Sequence, residues 1–178
     1  MTDDISVLLR AAEFAAHKHR DQRRKDADAS PYVNHPISLA NVLCNEGGIT
    51  DTVILAAALL HDTLEDTETT HEELRGQFGD EIADIVAEVT DTKWLSKEAR
   101  KRLQISKVSH ASAGACAVKI ADKICNLRDI LGNAPVGWSV ERKQAYFDWA
   151  KQVVDNVRGA HAQLEKRFDA LYRQRPDS

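Results

Sequence analysis

The side chains in this 178-residue chain best suited to joint chemistry begin with His61, Asp62, Glu65 and Asp66, which follow eight apolar residues, Val53 to Leu60. A helix made from that run has no wet face and must be buried. It is far too short to cross a membrane. If the helix continues, His61 with Glu65 and Asp62 with Asp66 form two pairs at i,i+4 spacing, each sharing a face. One imidazole and three carboxylates delivered to a buried place exceed the negative charge a solvent-excluded site can hold without a counter-ion, and a metal ion supplies one. Taken alone, HDTLED reads more simply as the polar end of a core helix. The chain, however, also supplies His35 before Pro36, and Asp122 in a later apolar stretch. Two imidazoles and two carboxylates from three elements, without thiolate, suit a six-coordinate divalent ion with open positions, Mn²⁺ or Fe²⁺ rather than a closed structural Zn²⁺. Water and a phosphate oxygen could take the open positions. Glu65 and Asp66, one turn on, are placed to take a proton from that water or to orient it.

The elements that must position these groups read as helical throughout. From Asp4 to about Arg20, Ile5, Leu8, Leu9, Ala12, Ala15 and Ala16 recur at helical intervals. His17 and His19 at its polar end read as surface or supporting residues. Residues 22–36 lack that periodicity and read as a loop, with room for a short hairpin, carrying Arg23, Arg24 and Lys25. Pro36 restricts His35 to an extended backbone and suits the first turn of the next helix. That helix turns Ile37, Ala40, Val42 and Leu43 inward and stops at Gly47-Gly48. Asp51 or Thr50 then caps the central helix.

Thr70 with Glu73 resembles a capping box for a short helix ending near Gly79, and His71 beside it has little claim to chemistry. A helix from Asp80 to Asp91 carries Ile82, Ile85, Val86 and Val89 on its inner stripe. The basic stretch from Ser96 to Val108 is either a solvated face or an electrostatic approach for a phosphorylated substrate. Ser109 to Gly114 reads as a loop, with His110 outside the chemistry. From Ala115 a buried helix turns Val118, Ile120, Ala121, Ile124, Leu127 and Leu131 inward, while Asp122, Asn126 and Asp129 form a polar stripe. That stripe is a pocket wall, unless Asp122 simply pairs with Lys119 or Lys123 at the surface. Ser139 to Arg173 gives one or two helices, broken near Gly159, packing through Tyr146, Trp149, Val153, Leu164, Phe168 and Leu171. Arg142 and Tyr146, one turn apart, could face a nucleotide.

Composition sets bounds. With 43% apolar residues the chain fills one core, and residues 1–178 read as a single domain without room for a second catalytic one. A net charge of -4 argues against general nucleic-acid or anionic-membrane binding. Three cysteines without CxxC spacing read as reduced and structural, and no leader or long apolar span is present, the pattern of a cytoplasmic protein.

The order H…HD…D on helices is similar to the HD-domain metal-dependent phosphohydrolases. The segments RRKDADASPYVNHP, AAALLHDTLEDTETT, EVTDTKWLSKEARKRLQ and VKIADKICNLRDI, extended by PVGWS and AYFDWA, resemble more specifically the small alarmone hydrolases of the metazoan SpoT-homologue type. This resemblance implies an all-α HD-domain helical bundle with a buried central helix carrying the His-Asp pair. It implies hydrolysis of the 3′-pyrophosphate of guanosine tetraphosphate or pentaphosphate to GDP or GTP and pyrophosphate. Mn²⁺ is the implied cofactor, with Fe²⁺, Co²⁺ or Zn²⁺ as substitutes.

Carried over by position, His35, His61, Asp62 and Asp122 are the metal ligands and Glu65 and Asp66 the catalytic acids. Arg24 flanks the base, Lys25 meets phosphate, Asn126 contacts the nucleoside, and Lys97, Arg142 and Tyr146 reach phosphates or ribose. The implied partner is a small-molecule nucleotide, with a homo-oligomer left open. Two alternatives stand beside it: an NADPH 2′-phosphatase using the same metal site, and a catalytically inactive nucleotide-binding regulator. ADAS before Pro31 departs from a loop that commonly carries glycine.

Overall fold

A computed structural model describes residues 2–177. Among them every regular element is helical, and the one β-bridge, Arg23 with Pro31, closes the loop expected to hold a hairpin. The chain runs through α1 (Thr2–Lys18), α2 (Asn34–Asn41) with a π-helical end (Val42–Glu46), α3 (Thr52–Leu60), α4 (Thr63–Asp66), α5 (His71–Phe78) and α6 (Asp80–Val89). It continues through α7 (Lys97–Lys107), a 3₁₀ turn (Val108–His110), α8 (Ala113–Gly132), α9 (Val140–Asp155) and α10 (Ala162–Tyr172). No helix among the described residues is long and apolar enough to cross a membrane.

The apolar run forms α3, and Leu55 to Leu60 are buried. Asp51 rather than Thr50 caps it, accepting from the Val53 amide at 2.8 Å. Its three alanines carry no bulk, so α1, α2, α6 and α8 can all pack against this one helix. One apolar cluster joins α3 to α1, α5 and α6; the other joins it to α2, α8, α9 and α10, with Phe147, Leu164 and Phe168 fully buried. Each such Leu or Phe is worth about 1.5–3 kcal/mol in burial. The start of α8 is pressed close, since a Cβ on Gly114 would lie 2.9 Å from Ile85 Cδ1.

Several expectations are corrected. α3 does not continue into HDTLED: it stops at Leu60, and His61-Asp62 form a turn before α4. His35 lies inside the first turn of α2 rather than in an extended segment, with Pro36 beside it where no amide donor is needed. On α1 the buried line is Ala11 and Ala15, whereas Ile5, Leu9 and Ala16 are exposed, because the small residues let α1 lie close to α3. Leu39 and Ile130 are buried where Ile37 and Leu131 were expected. α8 begins at Ala113, two residues early, because the Ser112 side chain caps the Ala115 amide at 3.2 Å. Thr70 caps α5, but Glu73 reaches Lys18 on α1 instead of closing the box. All three cysteines are unpaired, and burial pushes the Cys125 thiol up to about 12, as a structural role requires.

Candidate metal centre and active site

The turn that ends α3 is built by local hydrogen bonds. Thr63 Oγ1 donates to the Leu60 carbonyl at 2.7 Å, and His61 Nδ1 lies 2.8 Å from the Ala58 carbonyl. The second contact keeps the proton on Nδ1 and leaves Nε2 with a free lone pair, the tautomer of a metal-ligating histidine. His61 Nε2 is buried, 2.9 Å from Asp62 Oδ2 but without hydrogen-bonding geometry. From α2, His35 brings its ring centroid to 5.2 Å from that of His61, and its Nδ1 is also buried without a partner. One donor atom each from His35, His61 and Asp62 lie within 4.8 Å of one another. Asp122, on α8, stands outside this trio and touches it through Oδ1, 3.2 Å from His35 Nε2.

Buried imidazole nitrogens lacking hydrogen-bond partners, set among ionised carboxylates, fit a divalent cation better than any neutral occupant. Burial would push Asp62 upward, yet the neighbouring imidazoles of His61 and His35 outweigh it and hold the carboxyl well below its usual range. Burial acts on Asp122 in the same sense and is outweighed by Lys123 and His35. Both remain anionic.

Glu65 and Asp66 ride on α4, just beyond the ligand turn. Burial, with the charge of Asp91, raises the Glu65 pKa; burial, with the charge of Asp62, raises that of Asp66. That is the direction wanted of a group that must accept a proton near neutral pH. Glu65 is oriented by the Asp91 amide at 3.1 Å and by Arg100 at 3.4 Å. The Asp66 backbone is held by Gln22 Nε2, which donates to its carbonyl at 2.6 Å.

A cleft of about 500 Å³ opens beside this group, and every residue singled out from the sequence lines it: His35, His61, Asp62, Asp122, Glu65, Asp66, Arg24, Lys25, Asn126, Lys97, Arg142 and Tyr146. Asp122 and Asn126 of the polar stripe of α8 therefore form a wall, with Asn126 Nδ2 donating to Asp122 Oδ1 at 2.6 Å, while Asp129 lies outside the cleft lining. Arg24 is held by an ion pair to Asp129, lies 3.4 Å from Asn126 Oδ1, and faces the Tyr32 ring at 5.7 Å. Arg142 lies over the Trp138 ring at 4.4 Å. Tyr146 and Trp149 pack against the core as expected and also form the aromatic side of the cleft, while Phe147 and Ala150 on α9 are fully buried.

Sequence reasoning missed several cleft residues. Lys123 was expected at the surface if paired with Asp122. It is indeed paired, at 2.9 Å, but only 2% exposed, with its ammonium 4.3 Å from the Trp149 ring. Burial would lower its pKa, but Asp122 outweighs that and raises it. The signal was its place between Asp122 and Ile124 on an apolar helix. Lys119 is also drawn inward, 3.9 Å from Asp91, and burial lowers its pKa. Tyr32, in a loop without periodicity, carried no such signal. Arg100 and Lys101 had only their membership in the basic stretch.

A helical fold whose buried helix ends in a His-Asp turn, met by a histidine and an aspartate from flanking helices, defines a class. The family model described as HD domain matches residues 11–146, and the chain belongs to the HD-domain family, whose members are metal-dependent hydrolases. Within that class the similarity is narrower. The guanosine-3′,5′-bis(diphosphate) 3′-pyrophosphohydrolase MESH1 of Homo sapiens is 53% identical over 175 residues, covering 98% of both chains. That of Drosophila melanogaster is 49% identical over 168 residues, covering 94% of each. A solved structure titled as a metazoan ortholog of SpoT that hydrolyzes ppGpp superposes with a TM-score of 0.92 at 48% identity, over 95% of both chains.

Proposed function

We propose that this chain is a Mn²⁺-dependent (p)ppGpp 3′-pyrophosphohydrolase, a single cytoplasmic domain over residues 1–178 acting on a small-molecule nucleotide. The observation that carries the reading is the joining, in one cleft, of a buried His-Asp trio to a wall of cations and aromatic rings. His35, His61, Asp62 and Asp122 would hold the ion. A divalent ion there would lower the pKa of a water and neutralise phosphate charge.

The residues of the chain do the remaining work. Lys25, Lys97, Arg142 and Tyr146 hold phosphates and ribose; Arg24, backed by Tyr32, flanks the base, and Asn126 contacts the nucleoside. Glu65 and Asp66 orient the water and take its proton. The water oxygen joins the 3′-linked phosphorus as the bond from that phosphorus to the ribose 3′-oxygen breaks; the proton taken from the water passes to the leaving 3′-oxygen, and the products are GDP or GTP and pyrophosphate. Incubating purified protein with guanosine tetraphosphate and Mn²⁺ is expected to give equimolar GDP and pyrophosphate. Release of inorganic phosphate alone, or no release under any divalent ion, would overturn the reading. Running NADPH in parallel ranks the 2′-phosphatase alternative by kcat/KM.

A further inference from the structure

Tyr32 stands at a junction none of the assigned roles explains. Its hydroxyl donates to Asp62 Oδ2 at 2.5 Å and lies 3.5 Å from Asp66 Oδ2. Its ring is 6.2 Å, centroid to centroid, from His35 in an edge-on approach. On its faces it meets the His19 ring, 4.9 Å away, and the Arg24 guanidinium, 5.7 Å away. His19 is itself 2% exposed and tied to Gln22 at 2.8 Å, the same Gln22 that holds the Asp66 carbonyl.

The geometry points to Tyr32 as a positioning residue that couples the metal ligands to the proton acceptor, an inference that rests on the hydrolase reading. The Asp62 oxygen that the Tyr32 hydroxyl meets is Oδ2, the one that lies 2.9 Å from His61 Nε2 and so faces the pocket between the imidazoles. Without that donor the carboxylate is free to rotate and carry Oδ2 away; with it the oxygen stays aimed without reorganisation. The same hydroxyl lies beside Asp66, so the angle between ligand and acceptor is set by one rigid phenol. A second consequence concerns the ring. By backing Arg24 it gives the guanidinium a plane to rest on, so that base contact and carboxylate position depend on one side chain through two separate parts of it.

The two parts can be separated. Tyr32→Phe keeps the ring and removes the hydroxyl; Tyr32→Leu removes both. For Tyr32→Phe we expect an unchanged melting temperature in the metal-free protein, Mn²⁺ binding by titration calorimetry weakened about tenfold, and kcat at saturating Mn²⁺ lowered about 10–100-fold with KM within twofold, the range for loss of a supporting contact to a ligand. Tyr32→Leu is expected to add a several-fold rise in KM. Mn²⁺ affinity and kcat both within twofold of the unmodified chain in Tyr32→Phe would overturn the assignment, as would a rise in KM with kcat unchanged. The calorimetric arm reads without substrate, so if the unmodified chain released no pyrophosphate from guanosine tetraphosphate, the hydrolase reading would fail while Tyr32 was still tested against Mn²⁺ retention.

Discussion

Asp122 and Lys123 show how much a single pair can decide. The carboxylate meets His35, Asn126 and Lys123, and the ammonium sits buried against Trp149. Removing one member of a buried pair leaves an uncompensated charge, at a cost of about 3–5 kcal/mol. Asp122→Ala should therefore lose turnover and also unfold at lower urea, whereas Asp122→Ala with Lys123→Met should recover most of the stability and none of the turnover. A melt of the single variant matching that of the parent would show Lys123 has another partner. Ala29 raises a smaller question of the same kind. It adopts φ +47°, in the left-handed region that favours glycine. An L-residue there costs about 1–2 kcal/mol, so Ala29→Gly should raise the unfolding midpoint, offset in part by greater unfolded-chain freedom. The gathering of His35, His61, Asp62 and Asp122 was legible because histidine and aspartate are conspicuous next to an unbroken apolar run. Lys123 and Tyr32 were not, since a lysine beside an aspartate looks like a surface pair until burial is known, and a loop tyrosine has no periodicity to give it a direction.

Among the helices, α7 has no buried residue and is held to the body by contacts such as Gln104 to Asp91, at 2.5 Å. Its sequence left two readings open, a solvated face or an approach for phosphate. The helix is half wet, and Lys97, Arg100 and Lys101 turn from it onto the cleft. Attraction between such cations and a polyphosphate is screened by salt. kcat/KM should fall with rising ionic strength, and Lys97→Ala with Lys101→Ala should both lower it and flatten that dependence; a slope unaltered in the double variant would refute the role. Elsewhere, Arg128 on α8 clamps Glu46 at the π-helical end of α2 through bonds of 2.6 and 2.7 Å. The hydrogen bond to Arg128 lowers the Glu46 pKa from 4.5 despite burial. A depressed carboxylate contributes its stability above the unfolded value and loses it as pH falls through the folded one. Arg128→Met should cost about 1 kcal/mol at neutral pH and less below pH 4, as read from urea midpoints. The helix periods themselves were readable in the sequence. The break at His61 was not, because hydrogen bonds from Thr63 and His61 to carbonyls a turn back leave no mark on the apolar pattern.

Across the whole molecule, the proposed ligands come from α2, the α3–α4 turn and α8, three separate elements that a bound ion would join at one point. Whatever binds only the folded chain stabilises it by mass action, by about 2.7 kcal/mol when the ligand stands at a hundred times its dissociation constant. Mn²⁺ should accordingly raise the melting temperature, EDTA should reverse the rise, and Asp62→Ala should melt at one temperature with or without the ion. A metal-dependent shift surviving in Asp62→Ala would place the ion elsewhere. The bundle as a whole followed from the alternation of apolar stripes and caps. What the pattern could not convey was which stripe of α9 turned to the core and which to the cleft, since Tyr146 and Phe147 suit either.

That division of α9 leaves the three indoles in unlike surroundings: Trp138 and Trp149 sit on the cleft beside cations, while Trp94 is 88% exposed. The chain consequently carries its own optical gauge. Iodide should silence the emission of Trp94 first, and the residual, bluer light should dim as a nucleotide slides past the other two, so occupancy can be followed in real time without a label.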